Sequence, residues 1–357
     1  MHLIIKLKQL LRTVRVRRAM QKDYDESIAG LKLKKLSKEQ KSAIQTYFLS
    51  KTGKKINTRW HQYLYTVNGN FDVRYLPLDL YYGTLLSKLN CDVSMCWAYA
   101  DKNLTTTLLP NVLQPKTIIK NIQGLYYDSH DCPTTITKAI CTCANLTDAI
   151  IKPTVCSGRG KNVLRFASSE GIVSTGESVE QLLSRYRKNF IIQEAVVQHP
   201  ILSSLNPSSV NTIRIATYRR KEDVVLLYAI QKIGGKNSSI DNASLGGAFC
   251  KINDEGQLDK CAYTYRPAGV IEKTETGIKF SDIVIPSFSS IVEKAKQLHY
   301  RTPYSRIIGW DFAVNLEGEA VLIELNTVWP GLYQLAEPGL GKYTDEILES
   351  FFITKTI

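Results

Sequence analysis

Three oxygen-bearing side chains near the end of the sequence, Asp311, Glu324 and Asn326, stand at spacings that suit a hard divalent cation. They lie in two apolar-rich runs of strand length, 307–316 and 320–326, separated by Glu317-Gly318. Glycine takes positive φ cheaply, so that pair can form a tight hairpin turn. Cross-strand partners then sum to 635, which sets Asp311 opposite Glu324, with Asn326 on the same face. The other face takes Ile308, Trp310, Phe312 and Val314 with Val321, Ile323 and Leu325. One face is core, and the other presents three oxygens of the kind that hold Mg2+, whose remaining positions go to water and substrate phosphates. A solvated hairpin face is the plain alternative, and a bulge at the turn would shift the register.

Lysines and glycines come earlier. Lys152-Pro153 ends the strand-like run 149–153, and Cys156-Ser157-Gly158-Arg159-Gly160-Lys161 follows. Two glycines among small and basic residues can bring backbone N–H groups onto phosphates. The loop is not a P-loop: no glycine stands five residues before Gly160-Lys161, and Asn162 replaces Ser or Thr.

These residues need strands and helices to position them. Strand-like runs cover 117–120, 149–153, 189–194, 212–219, 224–232, 307–316 and 320–326, and helical patterns cover 134–146, 176–187 and 287–298. A helix over 37–50 opens with Ser37 and Gln40 spaced as a capping box. The stretch 60–101 is rich in Tyr and Pro and offers no chemistry by itself. The class is α+β. The expected division is a basic segment 1–36, an N-terminal domain 37–116, a small subdomain 117–195 and a large one 196–357.

Charge is unevenly spread. The 357 residues hold 46 Lys plus Arg against 33 Asp plus Glu, a net of +13. The first 60 residues carry 16 basic and 4 acidic side chains, and the other 297 carry 30 and 29. The body is nearly neutral, so no nucleic-acid partner is expected. In 3–18, Leu3, Ile4, Leu7, Leu10, Leu11 and Val14 follow helical spacing among basic residues, a pattern that suits either an anionic membrane surface or a terminal helix docked on its own domain. The longest apolar run, Val224 to Ile230, is too short to span a bilayer, and the start lacks the apolar stretch of a secretory signal; the expected location is cytoplasmic, at most peripheral to a membrane. Eight scattered cysteines lack zinc-site spacing and read as reduced thiols.

Taken in order, Ile150-Ile151-Lys152-Pro153 with its Gly-rich loop, Phe190-Ile191-Ile192-Gln193-Glu194, Asn211-Thr212-Ile213-Arg214, Lys232, Asn242-Ala243-Ser244-Leu245-Gly246-Gly247, and Asp311, Glu324 and Asn326 followed by Pro330-Gly331 resemble the ATP-grasp superfamily of carboxylate–amine ligases. Gln193 to Pro200, Leu205 to Arg214, Asp241-Asn242, Tyr75 to Tyr81 and Asp101-Lys102-Asn103 look more closely like its sugar-transfer-associated group, found with cell-surface polysaccharide genes. One extra residue before Pro330-Gly331 departs from the superfamily pattern. The resemblance implies that ATP lies between two α+β subdomains, with Lys152 on its phosphates and Ser157, Gly158, Gly160 and Lys161 in a lid. It implies Gln193 and Glu194 at the adenine and ribose, and Lys120 as a further lysine. Mg2+ would sit on Asp311, Glu324 and Asn326, with Arg214 and Lys232 at the γ-phosphate. His199, Asn211, Asp241, Asn242, Gly246, Gly247 and Gly331 would face the substrate.

The implied reaction is ATP- and Mg2+-dependent joining of a carboxylate, such as a sugar acid or amino acid for cell-surface polysaccharide, to an amine through an acyl phosphate. A carboxylate attacking a γ-phosphate meets like-charge repulsion, so placed cations must neutralise both partners. Two other readings are a kinase acting on a sugar or lipid-linked hydroxyl and a non-enzymatic membrane- or polyanion-binding protein.

Overall fold

The computed structural model describes residues 2–90, 93–155, 160–236, 238, 241 and 246–353, with the backbone alone for 2–13 and 93–95. Two antiparallel seven-stranded sheets carry the fold. The first contains β1 (Thr117–Ile122), β2 (Leu125–Tyr127), β3 (Pro133–Thr134), β4 (Leu146–Pro153), β5 (Leu164–Ser169), β6 (Ile172–Val173) and β7 (Phe190–Glu194), in the order β3-β2-β1-β7-β4-β5-β6. Helices Ile136–Thr142 and Val179–Tyr186 start where Thr135 and Ser178 cap free backbone N–H groups. They bury Ala139, Leu182 and Leu183 against Ile119, Ile151, Phe190 and Ile192 on one face. Strand alternation and register then put Lys120, Ile191 and Lys152 in one row of the other face, with Ile150 and Gln193 beside them.

The second sheet contains β8 (Ile213–Arg219), β9 (Val224–Ile233), β10 (Ala248–Ile252), β11 (Leu258–Tyr265), β12 (Ala268–Ile271), β13 (Ile307–Val314) and β14 (Ala320–Asn326), in the order β12-β11-β10-β9-β8-β13-β14. Helix Phe288–His299 packs Ile291, Ala295 and Leu298 with Trp310, Phe312 and Leu322 on one face. The opposite face is covered by α1 (His2–Ile28), α2 (Lys38–Thr52), α3 (Arg59–Asn68) and the C-terminal helix Thr344–Phe352. Phe48, Trp60, Tyr63 and Ile347 share one core there with Tyr218, Tyr228 and Ile230. The segment 37–90 therefore buries its apolar side chains on the large sheet.

Every expected strand and helix is present, and α2 begins on the Ser37–Gln40 capping box. The short strands β2, β3, β6 and β12 and the charge-bearing β10 and β11 were not legible, because none offers a sustained period-2 pattern. The N-terminal helix runs on to Ile28. Val16, Met20 and Tyr24 are buried in the body, Arg15, Arg17 and Arg18 are exposed, and Arg266 pairs with Asp23 at 3.0 Å and Glu26 at 2.7 Å. No helix among the described residues is long and apolar enough to cross a membrane.

The hairpin register needs a correction. Near the turn, Phe312 pairs with Leu322, and a bulge on β14 restores the Asp311–Glu324 pairing beyond it. The connection is a wider loop closed by the Asn315 N–H on the Glu319 carbonyl, 3.1 Å. Leu322 thus enters the core, while Val321 and Ile323 turn away from it.

Candidate active site

A cavity of about 670 Å3 lies between the two sheets, lined by Lys152 and Gln193 from the first and by Arg214, Lys232, Asp311 and Glu324 from the second. Asp311 stands opposite Glu324 across the hairpin and opposite Arg214 across β8. Arg214 grips the buried Asp311 carboxylate with two N–H groups, Nε at 2.5 Å and Nη2 at 2.8 Å, while Nη1 donates to the Pro330 carbonyl at 2.8 Å. Lys232 Nζ lies 3.3 Å from Asp241 and 3.5 Å from Asp311. Asp241 also accepts from the Thr212 N–H at 2.8 Å and from its hydroxyl. Burial would lower the Lys232 pKa, but Asp241 and Asp311 override it and push it up. Glu324 meets Lys102 Nζ at 2.9 Å; burial would raise its pKa, yet Lys102 and Lys232 hold it well below the usual carboxylate range.

Asn326 Nδ2 is 3.4 Å from Glu324 Oε1 and 3.5 Å from Asp311 Oδ2. Two charged carboxylates and an amide, whose oxygen and nitrogen exchange places by a flip, converge on one point. That donor chemistry fits a hard cation such as Mg2+.

On the first sheet, Lys152, Gly160, Lys161, Gln193 and Glu194 all line the cavity. Gln193 donates to the Pro115 carbonyl at 3.1 Å, and the exposed Glu194 pairs with Lys116 at 2.8 Å. Burial pushes the Lys152 ammonium down to about 8, Lys102 adds to this, and Glu324 partly offsets it. Ser157 and Gly158 lie outside the described residues.

Residues 85–347 match the family described as sugar-transfer associated ATP-grasp, well over half of the chain. The chain belongs to this family. A search of curated proteins finds no match. Among solved structures, an L-amino acid ligase from Bacillus licheniformis is similar at 12% identity and TM-score 0.35, over 64% of this chain and 40% of that one. D-cycloserine synthetase DcsG is similar at 15% identity and TM-score 0.42, over 71% and 70%. The VanG D-Ala:D-Ser ligase from Enterococcus faecalis is similar at 13% and 0.38, over 75% and 62%. The chain thus spans well under half of the first of these.

In this ATP-grasp protein several expected site residues stand elsewhere. Lys120 shares a sheet face with Lys152 but is not a lining residue; its ammonium binds Asp131 at 2.6 Å and Thr106 at 2.7 Å. His199 caps the turn Pro200–Ser203 through the Ile201 N–H. Asn211 is fully buried and ties the start of β8 to Leu202, Asn206 and Gln198, a scaffold for Thr212 and Arg214. Gly246 and Gly247 do not line the cavity either: Gly246 presses its carbonyl against Gly235, where an added Cβ would come within 2.7 Å. Asn242 lies outside the described residues. Asp241 and Gly331 are at the cavity.

Sequence reasoning passed over two groups. Lys102 appeared only as part of a resemblance, yet it reaches Glu324, with Asn103 anchoring the segment to the Asn121 carbonyl at 3.0 Å. The aromatic stretch 60–82 and α1 also line the cavity, through Trp60, Tyr63, Tyr82, Ala19 and Met20. Unusual aromatic density was the available signal, but it reads equally as core.

Proposed function

We propose that the protein is an ATP- and Mg2+-dependent carboxylate–amine ligase acting through an acyl phosphate, on a sugar acid or amino acid used in cell-surface polysaccharide. The observation that carries this reading is the single cavity in which Lys152, Lys161 and Gln193 face Arg214, Lys232, Asp311, Glu324 and Asn326. Gln193 and Glu194 would hold the adenine and ribose, and Lys152 and Lys161 the phosphates. Asp311, Glu324 and Asn326 would hold Mg2+, which supplies charge neutralisation on the phosphate oxygens.

A substrate carboxylate oxygen attacks the γ-phosphorus, the bond to the bridging oxygen breaks, and ADP leaves. Arg214 and Lys232 remain charged at neutral pH and take up the charge on the transferring phosphoryl group. An amine then attacks the acyl carbon, loses a proton, and phosphate departs as the amide forms. Closure of the Gly160–Lys161 side over the phosphates would keep water from the acyl phosphate.

The test is ATP, Mg2+ and panels of acids and amines, with ADP, phosphate and amide measured together. ADP release with a phosphorylated product and no amine requirement would instead make it a kinase. Glu324→Gln is expected to lower turnover on the order of 10²–10³, as loss of a positioned charge-stabilising group does. Glu324 is the better probe than Asp311, whose neutralisation would also strand the buried Arg214 at about 3–5 kcal/mol of stability.

We also propose peripheral membrane attachment through the basic end of α1, supported by exposed Arg15, Arg17 and Arg18. Val16 is buried in the body, so the informative truncation removes residues 2–13. Combined with Arg15→Ala, Arg17→Ala and Arg18→Ala, it should reduce binding to anionic liposomes and spare turnover of soluble substrate; unchanged liposome binding of that variant would refute the attachment.

A further inference from the structure

Two residues past the Pro330-Gly331 turn, Tyr333 joins the cavity wall beside the reacting cations. Its ring centre lies 5.7 Å from the Arg214 guanidinium, and the rings of Phe249 and Tyr228 meet it edge-on at 5.0 and 6.3 Å. Gly331 makes this packing possible. It has φ +84° and no side chain, and an added Cβ would come within 3.1 Å of the Tyr333 ring and 3.0 Å of Arg214 Nη1. The ring is fixed from several sides, but its hydroxyl is not. Tyr228 gives its O–H to the Gly331 carbonyl at 2.9 Å and Tyr265 to the Leu332 carbonyl at 3.4 Å, whereas Tyr333 has no hydrogen-bond partner among the described residues. The residue is half-buried, and its oxygen is not sealed from solvent. Arg214 and Lys232 both feel the phenol electrostatically, which puts its oxygen end near the two charges.

The hydrogen-bonding groups around it are nearly all committed. Lys232 has three N–H donors and three protein oxygens within reach: Thr212 Oγ1 and Asp241 Oδ1 at 3.3 Å, and Asp311 Oδ2 at 3.5 Å. Arg214 spends three of its five N–H groups on Asp311 and the Pro330 carbonyl. The other Asp241 oxygen takes the Thr212 N–H and hydroxyl. Two Arg214 N–H groups and the Tyr333 O–H remain, all of them donors, beside Asp241 and Asp311 oxygens that are already engaged. An amine would find no acceptor here. A neutral hydroxyl could accept from one donor but would have nowhere to give its own hydrogen. A carboxylate accepts on both oxygens and carries no hydrogen, so it suits the set.

We propose that the Tyr333 hydroxyl is a substrate-binding donor that, with Arg214, holds the carboxylate of the acid. One carboxylate oxygen attacks the γ-phosphorus; Tyr333 donates to the other, which becomes the carbonyl of the acyl phosphate and the oxyanion when the amine attacks. Naming the acid rests on the ligase reading; the binding is tested without turnover.

Saturation-transfer NMR on the full chain with ADP and Mg2+ is the experiment. Acetate, glucuronate and N-acetylalanine serve as carboxylate probes, with methyl glucoside and ethanolamine as neutral and amine probes. At least one carboxylate is expected to bind. Tyr333→Phe keeps the ring and should weaken that binding at least about tenfold, as loss of a hydrogen bond to a charged group does. Tyr265→Phe removes a neighbouring hydroxyl already given to the backbone and should leave it unchanged. ADP binding should be unchanged in both variants, which also shows that they fold. No carboxylate binding, equal affinity in wild type and Tyr333→Phe, an equal loss in Tyr265→Phe, or Tyr333-dependent binding of methyl glucoside instead would each overturn the proposal. Tyr333-dependent carboxylate binding with no amide formed in the acid and amine panels would remove the ligase reading alone. Amide formation by Tyr333→Phe with wild-type kcat and wild-type KM for the acid would remove this one alone.

Discussion

Lys152 is the residue whose chemistry depends most on its surroundings. Burial and the neighbouring Lys102 hold it at about 8, so above that pH the empty site increasingly carries a neutral amine. Phosphates favour the charged form, so nucleotide binding takes up a proton there. ATP affinity should therefore hold below pH 8 and weaken above it, by up to about tenfold per pH unit. Lys152→Arg should flatten that dependence, because a guanidinium stays charged. Fluorescent-nucleotide titrations from pH 7 to 9.5 check this; a wild-type affinity level across that range would contradict it.

At the scale of elements, the hairpin β13–β14 does the positioning. A bulge between the turn and Asp311 lets the strands be out of step near the loop and in step at the carboxylates. Gly309 is the tight point: an added Cβ would lie 2.6 Å from the Pro330 carbonyl and 3.1 Å from Arg214 Cδ. That carbonyl is itself an Arg214 acceptor. Gly309→Ala should push Arg214 out of line, lowering turnover more than ATP affinity and costing about 1–3 kcal/mol of stability. Denaturant unfolding beside steady-state kinetics would show it, and wild-type kinetics would mean Arg214 is not held this way. The same crowding explains why the Pro330-Gly331 turn matters here: it braces the arginine.

For the molecule as a whole, two buried imidazoles set an acid limit. His61 lies in the core between α2 and α3 with its Nε2 at the Val73 carbonyl, 3.1 Å. His299 sits between Thr217 and the Ser305 carbonyl, 2.7 and 2.9 Å. Burial lowers both to about 4, so they stay neutral in the fold and would bind protons first when unfolded. Stability should be full above about pH 6.5 and fall as pH drops toward 4, on the order of 3 kcal/mol for each histidine. Melting temperatures at pH 7 and pH 5 test this; equal values would contradict it.

Much of the fold and part of the site were legible without coordinates. Strand and helix periods, the capping box at Ser37 and the Asp311–Glu324–Asn326 spacing are local properties, since each depends on neighbours along the chain or across one hairpin. The family resemblance, not local pattern, pointed to Lys152 and Gln193, and both line the cavity. Local patterns could not show that Lys120 finds Asp131, that Asn211 is scaffold, or that Lys102 reaches Glu324, because those partners are chosen by packing between distant segments. Nor could they show where the basic N-terminus goes. Its charge was plain in the sequence, but only the tertiary structure sets the C-terminal half of α1 against the large sheet's covering helices, where Ala19, Met20 and Asp23 form part of the cavity wall. Burial of Val16, Met20 and Tyr24 against residues far along the chain is what decides it.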